Sequence, residues 1–243
     1  MLFYLLSFLL PTTTTNSVLE GLEQQSALEW VEEQQASIQS QAAVYGLSSQ
    51  ELLPIIFPEL LRYAEWKDLL ETEALGMAYV EGGSQWADFS IGPFQMKPSF
   101  VETLEQVLLQ WPKGQAFFGH LLANPKHSLA QQRQTRLDRL QQLEGQVDYL
   151  CCFYAWMQQK VGFQLVASTP TQQIALLATA YNSGFQKDWP ALAAAQQQHF
   201  FPYGARYPQE GQENYATVAL AYYQQLPLAQ PSWRALHWPF WKP

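Results

Sequence analysis

Positive charge is scarce in this chain. Its 243 residues hold 13 Lys and Arg against 21 Asp and Glu, a net charge of −8, and no basic residue precedes Arg62. Such a chain lacks the basic face that nucleic acid needs. An anionic polymer would have to be held by hydrogen bonds and stacking, not by long-range attraction. Cysteine is nearly absent as well: Cys151 and Cys152 are adjacent. Neighbours on a helix point about 100° apart and do not bridge. They read as small core residues, and no metal-ligand spacing accompanies them. The apolar run Met1 to Leu10 falls well short of the roughly 20 residues that span a bilayer. It has the length of a secretory h-region but lacks a basic n-region and a small-x-small cleavage site. It reads as a signal peptide over residues 1–16, which predicts export to the periplasm or cell envelope. The alternative is an N-terminal strand or helix of the fold.

What is present points to a globule: 48% hydrophobic and 14% aromatic residues, enough for one large domain or two small ones. Nine Trp and twelve Tyr make stacking on sugar faces plausible, although any single one is more often core. Helical periodicity dominates. Residues 17–45, with Leu19, Leu22, Leu28, Trp30 and Val31 in a Glu- and Gln-rich background, read as a packing helix or a spacer. Ser48 and Glu51 form a capping-box pattern, so a helix should start near Ser49. Leu52, Leu53, Ile56, Leu60 and Tyr63 continue it at helical spacing, and Pro54 and Pro58 should kink it just before Glu59. Glu59 sits among Ile55, Ile56, Phe57 and Leu60. Loss of hydration there would favour its protonated form, as a general acid requires. The plainer reading is a solvated Glu paired with Arg62 or Tyr63.

Further on, Ser90 to Ser99 contains Gly92-Pro93-Phe94-Gln95-Met96-Lys97-Pro98, a loop by its breakers. Gln95 between two large apolar side chains suits a cleft that binds a polar, uncharged ligand. Asp88 is a candidate second carboxylate or else a turn residue. Ser99, with Glu102, should cap the next helix. Residues 112–134 read as a connection, and one long helix is expected from Thr135 past Tyr154. Arg133, Arg136 and Arg139 read as a solvated basic face. Thr169, Pro170 and Gln172 open a helix that brings Tyr181 and Asn182 to its end, where Gly184 stands for a left-handed stop. A last helix spans about Glu213 to Leu226, and the tail from Pro231 is rich in Trp and Pro.

Three of these stretches together resemble the lytic transglycosylase family, the soluble type with a goose-lysozyme-like fold. Tyr45-Gly46-Leu47 through Glu59 is similar to its first motif, Gly92 to Pro98 to its Gly-Leu-Met-Gln-x-x-Pro loop, and Ala180-Tyr181-Asn182-Ser183-Gly184 to its Ala-Tyr-Asn-Ala-Gly motif. Asn214-Tyr215 and Val218 resemble the helix that follows. Leu60 and Pro58 depart from the pattern, and the longer stretch between Glu59 and Gln95 leaves Glu73 and Glu81 as rival acids.

The resemblance implies an all-α, lysozyme-like fold over residues 43–226, with a minor irregular or short β element between Glu59 and Gln95. A helical segment, 17–42, would precede it and a tail, 227–243, would follow. It also implies cleavage of the β-1,4 bond between N-acetylmuramic acid and N-acetylglucosamine in peptidoglycan, with a 1,6-anhydro product. Glu59 would be the sole acid and base, held by Tyr181. Gly92, Phe94, Gln95, Met96, Tyr181 and Asn182 would bind the glycan strand, and Asn182 would brace the loop. Neither metal nor cofactor is called for. Two alternatives stay open: a hydrolytic lysozyme using Asp88, and an inactive glycan-binding or scaffold protein at the envelope.

Overall fold

The computed structural model describes residues 22–63, 69–166, 168–199, 201 and 212–226. The expected signal peptide and the tail from 227 lie outside them. Among the described residues the protein is all-α. Its helices are α1 (Leu22–Val44), α2 (Ser49–Tyr63), α3 (Leu69–Gly82), α4 (Pro98–Leu109), α5 (Pro112–Phe118), α6 (Leu129–Leu140), α7 (Leu143–Val166), α8 (Pro170–Ser183), α9 (Trp189–Ala195) and α10 (Tyr215–Gln225), with a 3₁₀ turn at Gly119–Leu121. The short β element expected near Gln95 is an isolated bridge between Ile91 and Met96.

The fold is arranged around α2, which packs against α1, α7, α8 and α10. Every residue from Leu52 to Leu60 is buried, Pro54, Pro58 and Glu59 included. The helix runs unbroken through both prolines. Each proline removes an N–H, a defect worth about 3 kcal/mol in an ordinary helix interior. Burial on all sides outweighs it. At the N-terminus, Glu51 accepts from Ser48 N at 2.8 Å and from Ser48 Oγ at 2.8 Å, so the Glu half of the expected capping box is present, while Glu51 N goes to the Ser48 carbonyl. The N-terminal helix is no spacer: Ala27, Val31, Ile38 and Ala42 of α1 are part of the single buried core.

Three expectations are corrected. Residues 112–134 hold α5, the 3₁₀ turn and the start of α6, which Ser128 and Gln131 open with a capping box. The long helix expected from Thr135 is two: α6 stops at Leu140 and α7 starts at Leu143. The three arginines are not a solvated face. Arg136 is buried against Glu105, at 2.6 Å from Nη2 to Oε2. Arg133 donates to the Glu81 carbonyl at 2.8 Å and Arg139 to the His120 carbonyl at 2.8 Å. Both satisfy carbonyls at helix ends, which otherwise lack partners. Cys151 and Cys152 are buried free thiols, as read from their helix.

Ahead of α4, Lys97 and not Ser99 is the N-cap, with Pro98 in the first turn. Asp88 does the capping from across the loop: Ser99 N donates to its Oδ1 at 2.9 Å and Ser99 Oγ to its Oδ2 at 2.8 Å. Glu102 accepts instead from Tyr79 Oη at 3.0 Å and Ser84 Oγ at 2.6 Å, tying α4 to α3 and its loop. Thr169 caps α8 with the full capping box expected of it. Gly184 ends that helix at φ 105° and ψ 113°, positive in φ but outside the compact left-handed region.

Candidate active site

A cavity of about 400 Å³ opens where α2, the loop before α4 and the end of α8 meet. Glu59 and Arg62 form its α2 wall. Asp88, Ser90, Gln95, Met96 and Lys97 form the loop wall, and Tyr181, Asn182 and the residues up to Lys187 close it from α8. Three separate stretches of sequence thus converge on one concave site.

Glu59 is 5% exposed. Arg62 Nη1 donates to its Oε2 at 3.0 Å, and the phenol of Tyr215 is close enough to act on its carboxyl. Burial pushes the carboxyl up to about 7, against the pull of Arg62, Tyr215 and Lys97. A carboxyl poised there can both give and take a proton near neutral pH. A raised carboxyl alone does not mark a site: burial also raises Glu51, yet that side chain caps α2, away from this cavity. What sets Glu59 apart is a raised carboxyl on a cavity wall. The rivals differ: Glu73 and Glu81 are exposed and off the cavity. Asp88 lies on it, but both its oxygens are engaged by Ser99.

The Gly92–Gln95 turn is held from two sides. Gln146 of α7 accepts from Phe94 N at 2.9 Å and donates to Ile91 O at 3.2 Å. Gly92 has φ 64°, and a Cβ there would overlap the Gln146 amide. Only glycine fits both the backbone and the contact. Tyr181 Oη donates to the Phe94 carbonyl at 2.7 Å from the opposite side. Gln95 itself stands at φ 51°, a conformation non-glycine residues seldom adopt, and its Nε2 returns to Gly92 O at 2.9 Å. Strain of this kind persists where surrounding structure over-determines it, and it clusters at functional sites.

The expected site residues therefore divide. Glu59, Gln95, Met96, Tyr181 and Asn182 share the cavity wall. Gly92 and Phe94 do not. Gly92 is packed on Gln146, and Phe94 is fully buried, with its ring edge-to-face against Trp30 at 6.3 Å. The loop needs an apolar anchor to keep its shape, and Phe94 is that anchor. Tyr181 does not hold Glu59 as expected; its hydroxyl holds the loop. Arg62 takes the role instead. Tyr215 donates to the Ile55 carbonyl at 3.1 Å, which locks α10 onto α2 beside Glu59. Arg62, three residues from Glu59, was visible as a helical neighbour. From the sequence, Tyr215 figures only in the resemblance of the last helix, with no role at the site.

Among the described residues no group of His, Cys, Asp and Glu could hold a metal ion. No described helix is long and apolar enough to cross a membrane. Compared with protein-family models, curated proteins and solved structures, the chain matches none.

Proposed function

We propose that this protein is a peptidoglycan lytic transglycosylase, cutting the β-1,4 bond between N-acetylmuramic acid and N-acetylglucosamine. The observation that carries the reading is the Glu59 carboxyl, raised to about 7 on the wall of a cavity shared with Gln95, Tyr181 and Asn182. In the first step Glu59 gives its proton to the bridging oxygen, the bond from C1 to that oxygen breaks, and N-acetylglucosamine leaves. In the second, the Glu59 carboxylate takes the proton of the muramic acid's 6-hydroxyl while O6 bonds to C1. The product is a 1,6-anhydro ring, Glu59 ends as it began, and no water is consumed. Arg62 steadies the carboxylate between the two steps. Gln95, half-buried in the wall, and Asn182 offer amides to the sugar's hydroxyl and acetamido groups.

The state of Asp88 favours this one-carboxylate scheme over a hydrolase. A hydrolytic glycosidase uses two carboxyl groups, and the other acid on this wall is tied to Ser99 by both oxygens. The reading carries with it an envelope location and glycan strands as the partner. Its test is mass spectrometry of digested peptidoglycan. Products one water lighter than reducing-end fragments are expected; reducing ends would point to hydrolysis, and undigested sacculi would overturn both.

A further inference from the structure

The cavity wall holds a charge that the acid–base steps do not use. Among the described residues that line it, Arg62, Lys97 and Lys187 are basic and Glu59 and Asp88 acidic. The wall thus carries a positive excess in a chain of net charge −8. The three cations differ in what they hold. Arg62 is paired with Glu59. Lys187 is exposed, where water serves it. Lys97 is half-buried, and among the described residues its ammonium has neither an ion pair nor a hydrogen bond. Asp88, the other acid of the wall, is spent on Ser99.

Lys97 is also held in place. Met96 and Pro98 on either side of it are buried. Its backbone is extended, at φ −90° and ψ 148°, as proline favours in the residue before it. Its carbonyl accepts from Phe100 N at 3.1 Å and from Val101 N at 3.3 Å, where α4 begins. The side chain therefore reaches the cavity wall from a fixed backbone. It stands close enough to Glu59 for its charge to pull that carboxyl down. The pull opposes the raised proton affinity on which the acid step depends. A half-buried cation that works against its neighbouring acid, with no anion of its own in the described protein, is suited to an anion that arrives with the ligand. Pairing would restore what burial takes from the ammonium, and a cleft with a positive wall concentrates anions.

The anion follows from the substrate class. Of the two sugars joined at the scissile bond, only muramic acid carries a carboxyl. It ends a lactyl ether on O3, free in a bare strand and amide-linked to a peptide in a substituted one, and that peptide brings carboxylates of its own. We propose that Lys97 is a specificity residue that pairs with a carboxylate borne by the muramic acid unit, so that the site selects strands with this charge over neutral glycans of the same length. This rests on the glycan-cleaving reading above.

Removing Lys97 also alters Glu59, so binding is read in the full chain carrying Glu59→Gln, which leaves the ligands uncut. Isothermal calorimetry compares three soluble ligands: a muramic-acid-containing oligosaccharide with free lactyl carboxyls, the same oligosaccharide with those carboxyls converted to methylamides, and its peptide-bearing form. The free acid is expected to bind about 10-fold tighter than the methylamide. With Lys97→Met added the two should bind alike, and Lys97→Arg in its place should keep the preference. If the peptide-bearing form instead holds the advantage over the methylamide, and loses it with Lys97→Met, the carboxylate is the peptide's and the pairing stands. Equal binding of all three ligands overturns the pairing alone, and so does a preference that survives Lys97→Met. No binding of any ligand overturns the glycan reading and the pairing with it.

Discussion

Among the described residues the protein buries two carboxylate–arginine pairs and treats them differently. In the core between α4, α6 and α7, Glu105 takes a forked grip from Arg136, Nε to Oε1 at 2.9 Å and Nη2 to Oε2 at 2.6 Å, plus Tyr149 Oη at 2.6 Å. Arg136 Nη1 also donates to Tyr79 at 2.7 Å. Both charges have their partners, away from the cavity that Glu59 lines. On α2, Glu59 has one ion-pair contact, at 3.0 Å, and faces an open cavity. Forked, charge-assisted hydrogen bonds hold an anion firmly; a single one in a desolvated wall leaves the proton close in free energy. The first pair fixes the fold, and the second is poised to exchange a proton.

Removing the acid from the second pair should have the largest effect. Glu59→Gln is expected to lower peptidoglycan cleavage by about 10³-fold, within the range for general acid–base groups, while circular dichroism shows an intact fold. The same variant reads the buried charge through stability. Glu59 is raised in the folded state from 4.5 to about 7. Its favourable contribution is therefore complete below pH 4.5 and lost as pH rises through 7. Relative to Glu59→Gln, the wild type should lose on the order of 3 kcal/mol across that window, measured by urea unfolding at several pH values.

Breaking the first pair should act on the fold. Arg136→Met strands Glu105 in the core and is expected to cost about 3–5 kcal/mol, read as a lower denaturation midpoint. Arg62→Met sharpens the contrast, because Glu59 can take up a proton when its partner goes. Its stability loss at pH 6 should be only about 1 kcal/mol. Arg62 holds the Glu59 pKa down, so its removal should move the alkaline limb of kcat/KM to higher pH. An unmoved limb would mean that the pair does not govern the proton. The smallest effect on stability is expected of Gln95→Gly. It relieves the φ of 51° but loses the Nε2 bond to Gly92 O, so stability should stay within about 1 kcal/mol. Activity should still fall, since the lost amide lines the cavity.

Much of the scaffold could be read from residues alone, and the reasons are local. The starts of α2 and α8 carry capping signals, and their apolar periodicity continues to Tyr63 and Tyr181. Gly92 and Pro98 punctuate the loop by backbone chemistry. What escaped was tertiary. The apolar stripe Leu137, Leu140, Leu143, Val147 runs through the break between α6 and α7, so periodicity shows one helix where the chain makes two. The capping box of Ser128 and Gln131 was legible but introduces a strongly polar helix, and it passed as connection. Arg136 looked like its neighbours Arg133 and Arg139 because its partner Glu105 lies on another helix. The site divides in the same way. Glu59, Gln95 and Tyr181 were found from their own surroundings. The supports, Tyr215 from α10 and Gln146 from α7, come from elements whose approach no local pattern encodes.

Selective carbon-13 labelling of glutamate side chains, with Glu59→Gln used to assign the resonance, would titrate the carboxyl itself. An inflection near pH 7 for Glu59, moving upward in Arg62→Met, is the result expected. An inflection in the ordinary range near 4.3 would contradict the account, because the acid on the cavity wall would then have no proton to give at neutral pH.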